Sequence, residues 1–569
     1  MKAALCALAL TGALVAARAQ QPPRPFDLLI TNARIIDGTG GPSIRGAVGV
    51  RDGRIAAVGD AAGPATRTID AHGLALAPGF IDAHSHSDYS LLTDGNAESK
   101  IRQGVTTEVI GESGSVAPRA PAAAGAEAAD TRGTGVRPDW TDFSGYFAAI
   151  ERSKISVNLL SYVGLGQVRE FVMGNDERAP TPAELQRMTT IVADSMRQGA
   201  YGVATGLIYS PNAYAKLDEL IALSRPAAAA GGLYASHLRY DGDKLRDGIE
   251  EAIAIGEGAH VPVHIFHLKV TGKNNFGRMK EAIALIEGAQ RRGVEISADQ
   301  YPYVASSTGL SQTIPPWAHE GGGEKLAQRL KDPATRAKIR KEMDDPHPTW
   351  ENRLLSAGTW HNVQLAGIAA RPGAEAYKRY EGMRVDEAAK AAGKDPYDFV
   401  FELLIAERGN VSCVWFIIDE NDLKLAMQRP WVSVGSDGSA LATSGPLRAG
   451  VPHPRSFGTF PRVLGKYVRE EHVIPLEQAI HKMSGLTASQ LHIGGRGLIK
   501  NDFAADLVLF DPATVADRAT FTDPFQYPVG IDTVIVNGRV VLDHGRHTGD
   551  RPGVIIHGHG DAPRGAARD

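Results

Sequence analysis

Apolar and polar positions alternate in two stretches at opposite ends of the chain. Near the start these are LLITNARIIDG (28–38) and GAVGVRDGRIAAVG (46–59), with turns at Asp37-Gly38 and Asp52-Gly53. Near the end they are ADLVLFDP (505–512) and IDTVIVNGRVVLDHG (531–545), with a hairpin turn at Asn537-Gly538. A period of two with Asp-Gly and Asn-Gly breaks predicts short, half-buried strands. Strands from both ends are expected to pair into one small β-sandwich, built from residues 20–78 and 490–569.

Between them the pattern changes to short continuous apolar runs alternating with helical stretches. Eight runs qualify as strands: 79–84, 106–110, 156–162, 201–205, 232–236, 262–266, 294–298 and 431–435. Repeated strand-helix units predict an α/β fold, a TIM-like (β/α)8 barrel over 79–489, with functional groups at the strand C-terminal ends. The long gap before the eighth run marks an insertion, 304–430, partly helical and placed to act as a lid. A second stretch, 118–138, is rich in Ala, Gly and Pro and reads as a loop.

Composition narrows the function. Hydrophobic residues are 43% and charged residues 22% of the 569, and Lys+Arg (61) nearly balances Asp+Glu (65). That balance excludes a disordered chain and argues against a nucleic-acid binder. Lys2, an apolar run over 3–17 and the Ala17-Arg18-Ala19 cleavage pattern read as a cleavable signal peptide, residues 1–19. The run is shorter than the ~20 residues of a membrane span. The expected location is periplasmic or secreted. With Cys6 in the leader, only Cys413 remains, so no disulfide framework is expected, and Cys413 reads as a small buried hydrophobe.

The sharpest chemical motif is PGFIDAHSHSD, 78–88. His84 and His86 stand two apart after the first strand, so both imidazoles face one side and can share a metal ion. His237 ends GGLYASH, His267 ends VPVHIFH, and Asp437 ends WVSVGSD. Four His and one Asp at strand ends make a mononuclear or binuclear hydrolase centre. His264, an odd number of positions before His267, is expected to pack against the helices. Asp299, ending the seventh run, is expected to orient a His. Other chemistries lack their parts: there is no G-x-S-x-G elbow, and Gly164-Leu165-Gly166 lacks a dinucleotide fingerprint. His557 and His559 read as a polar tail.

The chain resembles the amidohydrolase superfamily and, closer in, the N-acyl-D-amino-acid deacylase (D-aminoacylase) family. The residues carrying this are GAYGVATGLIYSP (199–211), YASHLR (234–239), FHLKVTG (266–272), SADQYPY (297–303), PPWA (315–318), GSDGSA (435–440) and HPRSFGTFPRVL (453–464). The resemblance implies a zinc amidase that hydrolyses N-acyl-D-amino acids to a carboxylate and a free D-amino acid. Asp437 would carry the proton. Lys269, Tyr301 and Ser306 or Ser307 would clamp the substrate carboxylate, the alternative for Lys269 being a pair with a protein acid; Arg239 and Arg455 are further candidates, each equally readable as a structural ion pair. One departure stands out. Where the family commonly has a bridging Cys in a Gly-Asn-Cys-Gly turn, this chain has Gly111-Glu112-Ser113-Gly114. Glu112 is the expected bridge in place of Cys; the alternative is an outer hydrogen-bond acceptor beside a single ion. Zn²⁺ suits His and carboxylate ligands, and Mn²⁺ or Co²⁺ can also use them. Cyclic-amide hydrolases and dipeptidases are the alternative activities. Those relatives often use a modified Lys on the fourth strand, and GVATG has none. A binding protein on a decayed scaffold would not need all four His and Asp437.

Overall fold

The computed structural model describes residues 24–120 and 135–558. The expected signal peptide, most of the 118–138 loop and His559 lie outside the described residues.

The barrel forms from the eight apolar runs. Its strands are Phe80–Asp82, Val105–Ile110, Asn158–Ser161 continuing as Val163–Gly164, Gly202–Gly206, Leu233–His237, Val263–Ile265, Ile296–Gln300 and Val432–Val434. Neighbours pair in parallel, from the first strand to the third and from Val163–Gly164 to the eighth strand. The ring closes where Asp437 N–H donates to the His84 carbonyl at 2.7 Å. Closure therefore brings the ends of the first and eighth strands, and their candidate ligands, together. Alternate residues supply two cores. Val203, Val263 and Ile265 face the surrounding helices. Ala83, Leu160, Tyr162, Ala204, Ala235 and Phe266 fill the interior.

Strands from both ends pair in one nine-stranded sheet. They meet where Ala75–Pro78 runs antiparallel to Leu507–Phe510, Leu76 opposite Leu509. Leu28, Ile30, Val48 and Val50 from the first segment share a core with Leu507, Leu509 and Ile535 from the second. The inward positions of the period-two pattern are thus the buried ones.

Between the seventh and eighth barrel strands, residues 304–430 carry their own core. Helices Gly323–Lys331, Pro333–Met343, Val385–Ala391 and Pro396–Ala406 accompany an antiparallel sheet of Ser306–Gly309, Val363–Ile368 and Val411–Trp415. That sheet was not anticipated from the sequence, where the helical run 324–343 dominated the reading. Cys413 is fully buried in it, and burial pushes its thiol well above the ordinary range. Among the described residues, no helix is long and apolar enough to cross a membrane.

Candidate metal centre

The first strand ends at Asp82, and the chain leaves it with His84 and His86 directed at the barrel mouth. The second strand ends at Ile110. Gly111 follows at φ +99°, and a Cβ there would lie 2.3 Å from the Tyr162 carbonyl oxygen. Only glycine fits, and the turn it makes delivers Glu112 into the mouth. Gly435 does the same for Asp437: a Cβ would lie 2.7 Å from Asp299 Oδ1 and 3.0 Å from His84 Cβ.

The six ligand candidates converge. Glu112 Oε2 lies 3.0 Å from His84 Nε2 and 3.2 Å from His86 Nε2, and Glu112 Oε1 lies 3.4 Å from His237 Nδ1. His86 Nε2 is 2.9 Å from Asp437 Oδ1, and His267 Nε2 is 3.9 Å from Asp437 Oδ2. Two groups have donor atoms close enough together for one ion each: His84, His86, Glu112 and Asp437; and Glu112, His237 and His267. Glu112 belongs to both. Ser113, which occupies the Cys position, turns away and contacts Asn212 Oδ1 at 3.1 Å.

The donor set fits a cation. Glu112 Oε1 and His237 Nδ1 are buried without a hydrogen-bond partner, an arrangement that is costly unless something else satisfies them. Burial alone would raise the Glu112 carboxyl; the imidazoles of His237, His84 and His86 around it hold it well below its ordinary value. Burial likewise opposes ionisation of Asp437, and the Arg455 guanidinium with His84 and His86 outweighs it. Both groups are therefore carboxylate anions at neutral pH, the form a metal ligand requires.

The substrate candidates separate. Tyr301 Oη and Ser306 Oγ are buried and have no partner, as groups awaiting a ligand would be. Ser307 is half-buried beside them, and its carbonyl is 3.4 Å from Arg455 Nη2. Arg455 Nη1 donates to Asp437 Oδ2 at 2.6 Å, and its guanidinium lies 5.0 Å from the Tyr301 ring centre. Lys269 is held inside the protein, with Nζ 2.9 Å from His267 Nδ1 and 3.2 Å from Asp241 Oδ2. Arg239 is not in this cluster. It donates to Glu251 at 2.9 Å, to the Ala213 carbonyl at 2.8 Å and to the Ala215 carbonyl at 2.9 Å. It is a structural ion pair, two residues past His237 but spent on its own surroundings.

His264 also departs from expectation. It is buried inside the barrel, Nδ1 2.9 Å from Ser297 Oγ and Nε2 2.9 Å from Asp299 Oδ2. The two-residue alternation does not reach His267, because the strand stops at Ile265 and His267 adopts φ 36°. Counting by twos cannot cross a left-handed residue. Asp299 Oδ1 in turn accepts from the His267 N–H at 2.9 Å, fixing the backbone of a candidate ligand.

Three buried groups had no signal in the sequence. Lys100 Nζ donates to Asp82 Oδ2 at 2.7 Å, to Ser436 Oγ at 2.8 Å and to the Gly438 carbonyl at 2.8 Å. Asp82 Oδ1 accepts from Ser436 N–H at 2.7 Å. This network fastens the first strand to the eighth beneath the His pair. The other two, Asp241 and Arg353, lie on the His237 side. Arg353 comes from the insertion and grips Asp241 at 2.7 and 3.0 Å.

Comparison with known proteins agrees with this architecture. The amidohydrolase family model matches residues 67–293 and 384–542, and the urease alpha-subunit N-terminal domain model matches 10–79. A D-aminoacylase from Alcaligenes xylosoxydans xylosoxydans is 38% identical over 94% of this chain and 99% of its own length. A D-aminoacylase structure described for its binuclear metal centre has a TM-score of 0.78 at 36% identity, covering 93% of this chain and 99% of that one. An N-acyl-D-glutamate deacylase from Bordetella bronchiseptica, complexed with zinc and a phosphonate mimic of the tetrahedral intermediate, has a TM-score of 0.77 at 34% identity, covering 94% of this chain and all of that one. The chain belongs to the amidohydrolase family, within its N-acyl-D-amino-acid deacylase (D-aminoacylase) branch.

Proposed function

We propose that this protein is a zinc-dependent amidase that hydrolyses N-acyl-D-amino acids to a carboxylate and a free D-amino acid. The observation that carries this is the Glu112 carboxylate, whose two oxygens serve two adjoining ligand groups at the mouth of an amidohydrolase barrel. His84, His86, Glu112 and Asp437 would hold one position, and Glu112, His237 and His267 the other. Bound zinc supplies Lewis acidity, polarising the amide carbonyl and acidifying water.

The chain's own residues do the rest. Asp437, anionic and fixed by Arg455, takes the proton from the attacking water and returns it to the leaving nitrogen as the C–N bond breaks. Tyr301 Oη and Ser306 Oγ offer unpaired donors for the substrate carboxylate. Arg455, between Asp437 and the Tyr301 ring, aligns the proton carrier with that clamp. The fourth barrel strand, GVATG, has no Lys, which disfavours a cyclic-amide hydrolase built around a modified lysine.

Preference for the D enantiomer is supported by the named relatives. It is tested by amine release from matched N-acetyl-D- and N-acetyl-L-amino acids by zinc-loaded protein. D substrates are expected to turn over at least ~100-fold faster, about 2.7 kcal/mol at 1.36 kcal/mol per decade. Equal rates, or turnover of cyclic amides alone, would replace this reading.

Export is part of the same proposal. It is supported by Lys2, the apolar run over 3–17 and the Ala17-Arg18-Ala19 pattern. Protein recovered from the periplasm or medium is expected to begin at Gln20, and an intact leader on an internal protein would count against export.

A further inference from the structure

Asp437 is held in a backbone conformation that an aspartate adopts at a cost. Its φ of 51° lies in the left-handed region, which residues other than glycine seldom enter. Such a residue persists only where its surroundings fix it. In this turn Asp437 Oδ1 stands 2.9 Å from His86 Nε2, and Oδ2 accepts from Arg455 Nη1 at 2.6 Å.

The surroundings that fix the turn meet at one buried ammonium. Lys100, in the short helix Glu98–Ile101, is 0% exposed. Its Nζ donates to Ser436 Oγ at 2.8 Å and to the Gly438 carbonyl at 2.8 Å, the residues directly before and after Asp437. The third short bond goes to Asp82 Oδ2 at 2.7 Å. An ammonium has three donors and no acceptor, so these partners use all of it. The partners agree in direction. Ser436 Oγ gives its own proton to Asp82 Oδ2 at 2.6 Å and accepts from Gly438 N–H at 3.0 Å, while Asp82 Oδ1 accepts from Ser436 N–H at 2.7 Å. Across from them, Asp437 N–H donates to the His84 carbonyl at 2.7 Å and His86 N–H to the Gly438 carbonyl at 3.2 Å. The turn is thus tied to the segment that carries the His pair, and Lys100 holds it on both sides of Asp437. Burying an ammonium is costly even beside a carboxylate, and an apolar side chain of the same length would fill the space without that cost. Packing alone therefore does not account for a lysine here.

We infer that Lys100 is a positioning residue for proton transfer: by holding Ser436 and Gly438 it keeps Asp437 in the left-handed turn that presents its carboxylate to the reacting atoms. This rests on the zinc-amidase reading above, in which Asp437 carries the proton. Lys100 acts through the residues on either side of Asp437 and not on the substrate.

The test compares K100M and S436A with wild type in amine release from an N-acetyl-D-amino acid, with zinc per chain by elemental analysis, circular dichroism and a crystal structure of K100M. K100M keeps the length of the side chain and removes all three donors. It is expected to lower kcat about 100-fold, the scale of a small misplacement of a reacting group, with KM changed only a few-fold and zinc retained. Its crystal structure is expected to show Asp437 out of the left-handed turn. S436A, which removes one of the two grips, is expected to lower kcat about 10-fold. Adding S436A to K100M is expected to cost less than the product of the two, since both act on one turn. Folded K100M with wild-type kcat would overturn the inference. So would a loss carried by KM, a loss matched by missing zinc, or an unmoved Asp437. If K100M does not fold, wild-type kcat in S436A overturns it. Zinc-loaded wild type that hydrolyses no N-acyl amino acid would instead overturn the zinc-amidase reading, and this inference with it.

Discussion

Glu112→Ala is expected to strip zinc from the centre and lower kcat/KM at least ~10³-fold, about 4 kcal/mol of barrier at 1.36 kcal/mol per decade. No other side chain belongs to both ligand groups. Removing it leaves His84, His86 and Asp437 on one side and His237 with His267 on the other, two incomplete sets. Glu112→Gln separates charge from shape, because the amide keeps the reach and one acceptor oxygen but loses the anion. It is expected to resemble Ala in zinc content while retaining a native fold. Zinc per chain by elemental analysis, beside amine release, checks both variants. Wild-type zinc and rate in Glu112→Ala would mean that the carboxylate only accepts an outer hydrogen bond.

Asp437→Asn is expected to cost ~10³-fold in kcat, within the 10²–10⁴ range of general acid-base catalysis, with KM changed only a few-fold. The amide keeps the contact that Arg455 makes at 2.6 Å but cannot carry the proton. Steady-state kinetics with single-turnover controls checks the split. A rise in KM with unchanged kcat would assign Asp437 to binding. The pH behaviour has a definite sign. The Asp437 carboxyl is depressed in the folded protein, so its contribution is present above the ordinary carboxylate range. It is lost only as pH falls below that range. Loss of the Asp437 charge therefore does not set an acid limb near pH 4.

Much of the fold was legible because it rests on local patterns. Each barrel strand is an apolar run that ends at a small or chemical residue, and each end-segment strand alternates with period two. The His-x-His pair, His237, His267 and Asp437 were readable because they close those runs. The placement of Glu112 between the two candidate ligand groups could be suspected only against the family's turn. Its geometry depends on Gly111, whose neighbour Tyr162 is 51 positions away. What stayed hidden is long-range pairing. Nothing in the local sequence ties Lys100 to Ser436, or Arg353 to Asp241. The same cause bears on two further positions. Arg239, open in the sequence to either a substrate contact or an ion pair, spends itself on Glu251, and His264 faces inward because the backbone turns left-handed at His267. The insertion's sheet was missed because its three strands, separated by 40 residues or more, pair only with one another.

The central claim is that one carboxylate, from Glu112, joins the two halves of a zinc centre that cleaves amides. Zinc-edge anomalous diffraction from crystals of zinc-loaded protein tests it most directly. The account predicts anomalous density at bonding distance from Glu112, ~2.0–2.2 Å for zinc and oxygen, with His84, His86 and Asp437 or His237 and His267 completing each occupied position. Zinc bound among the histidines with Glu112 out of reach would contradict it.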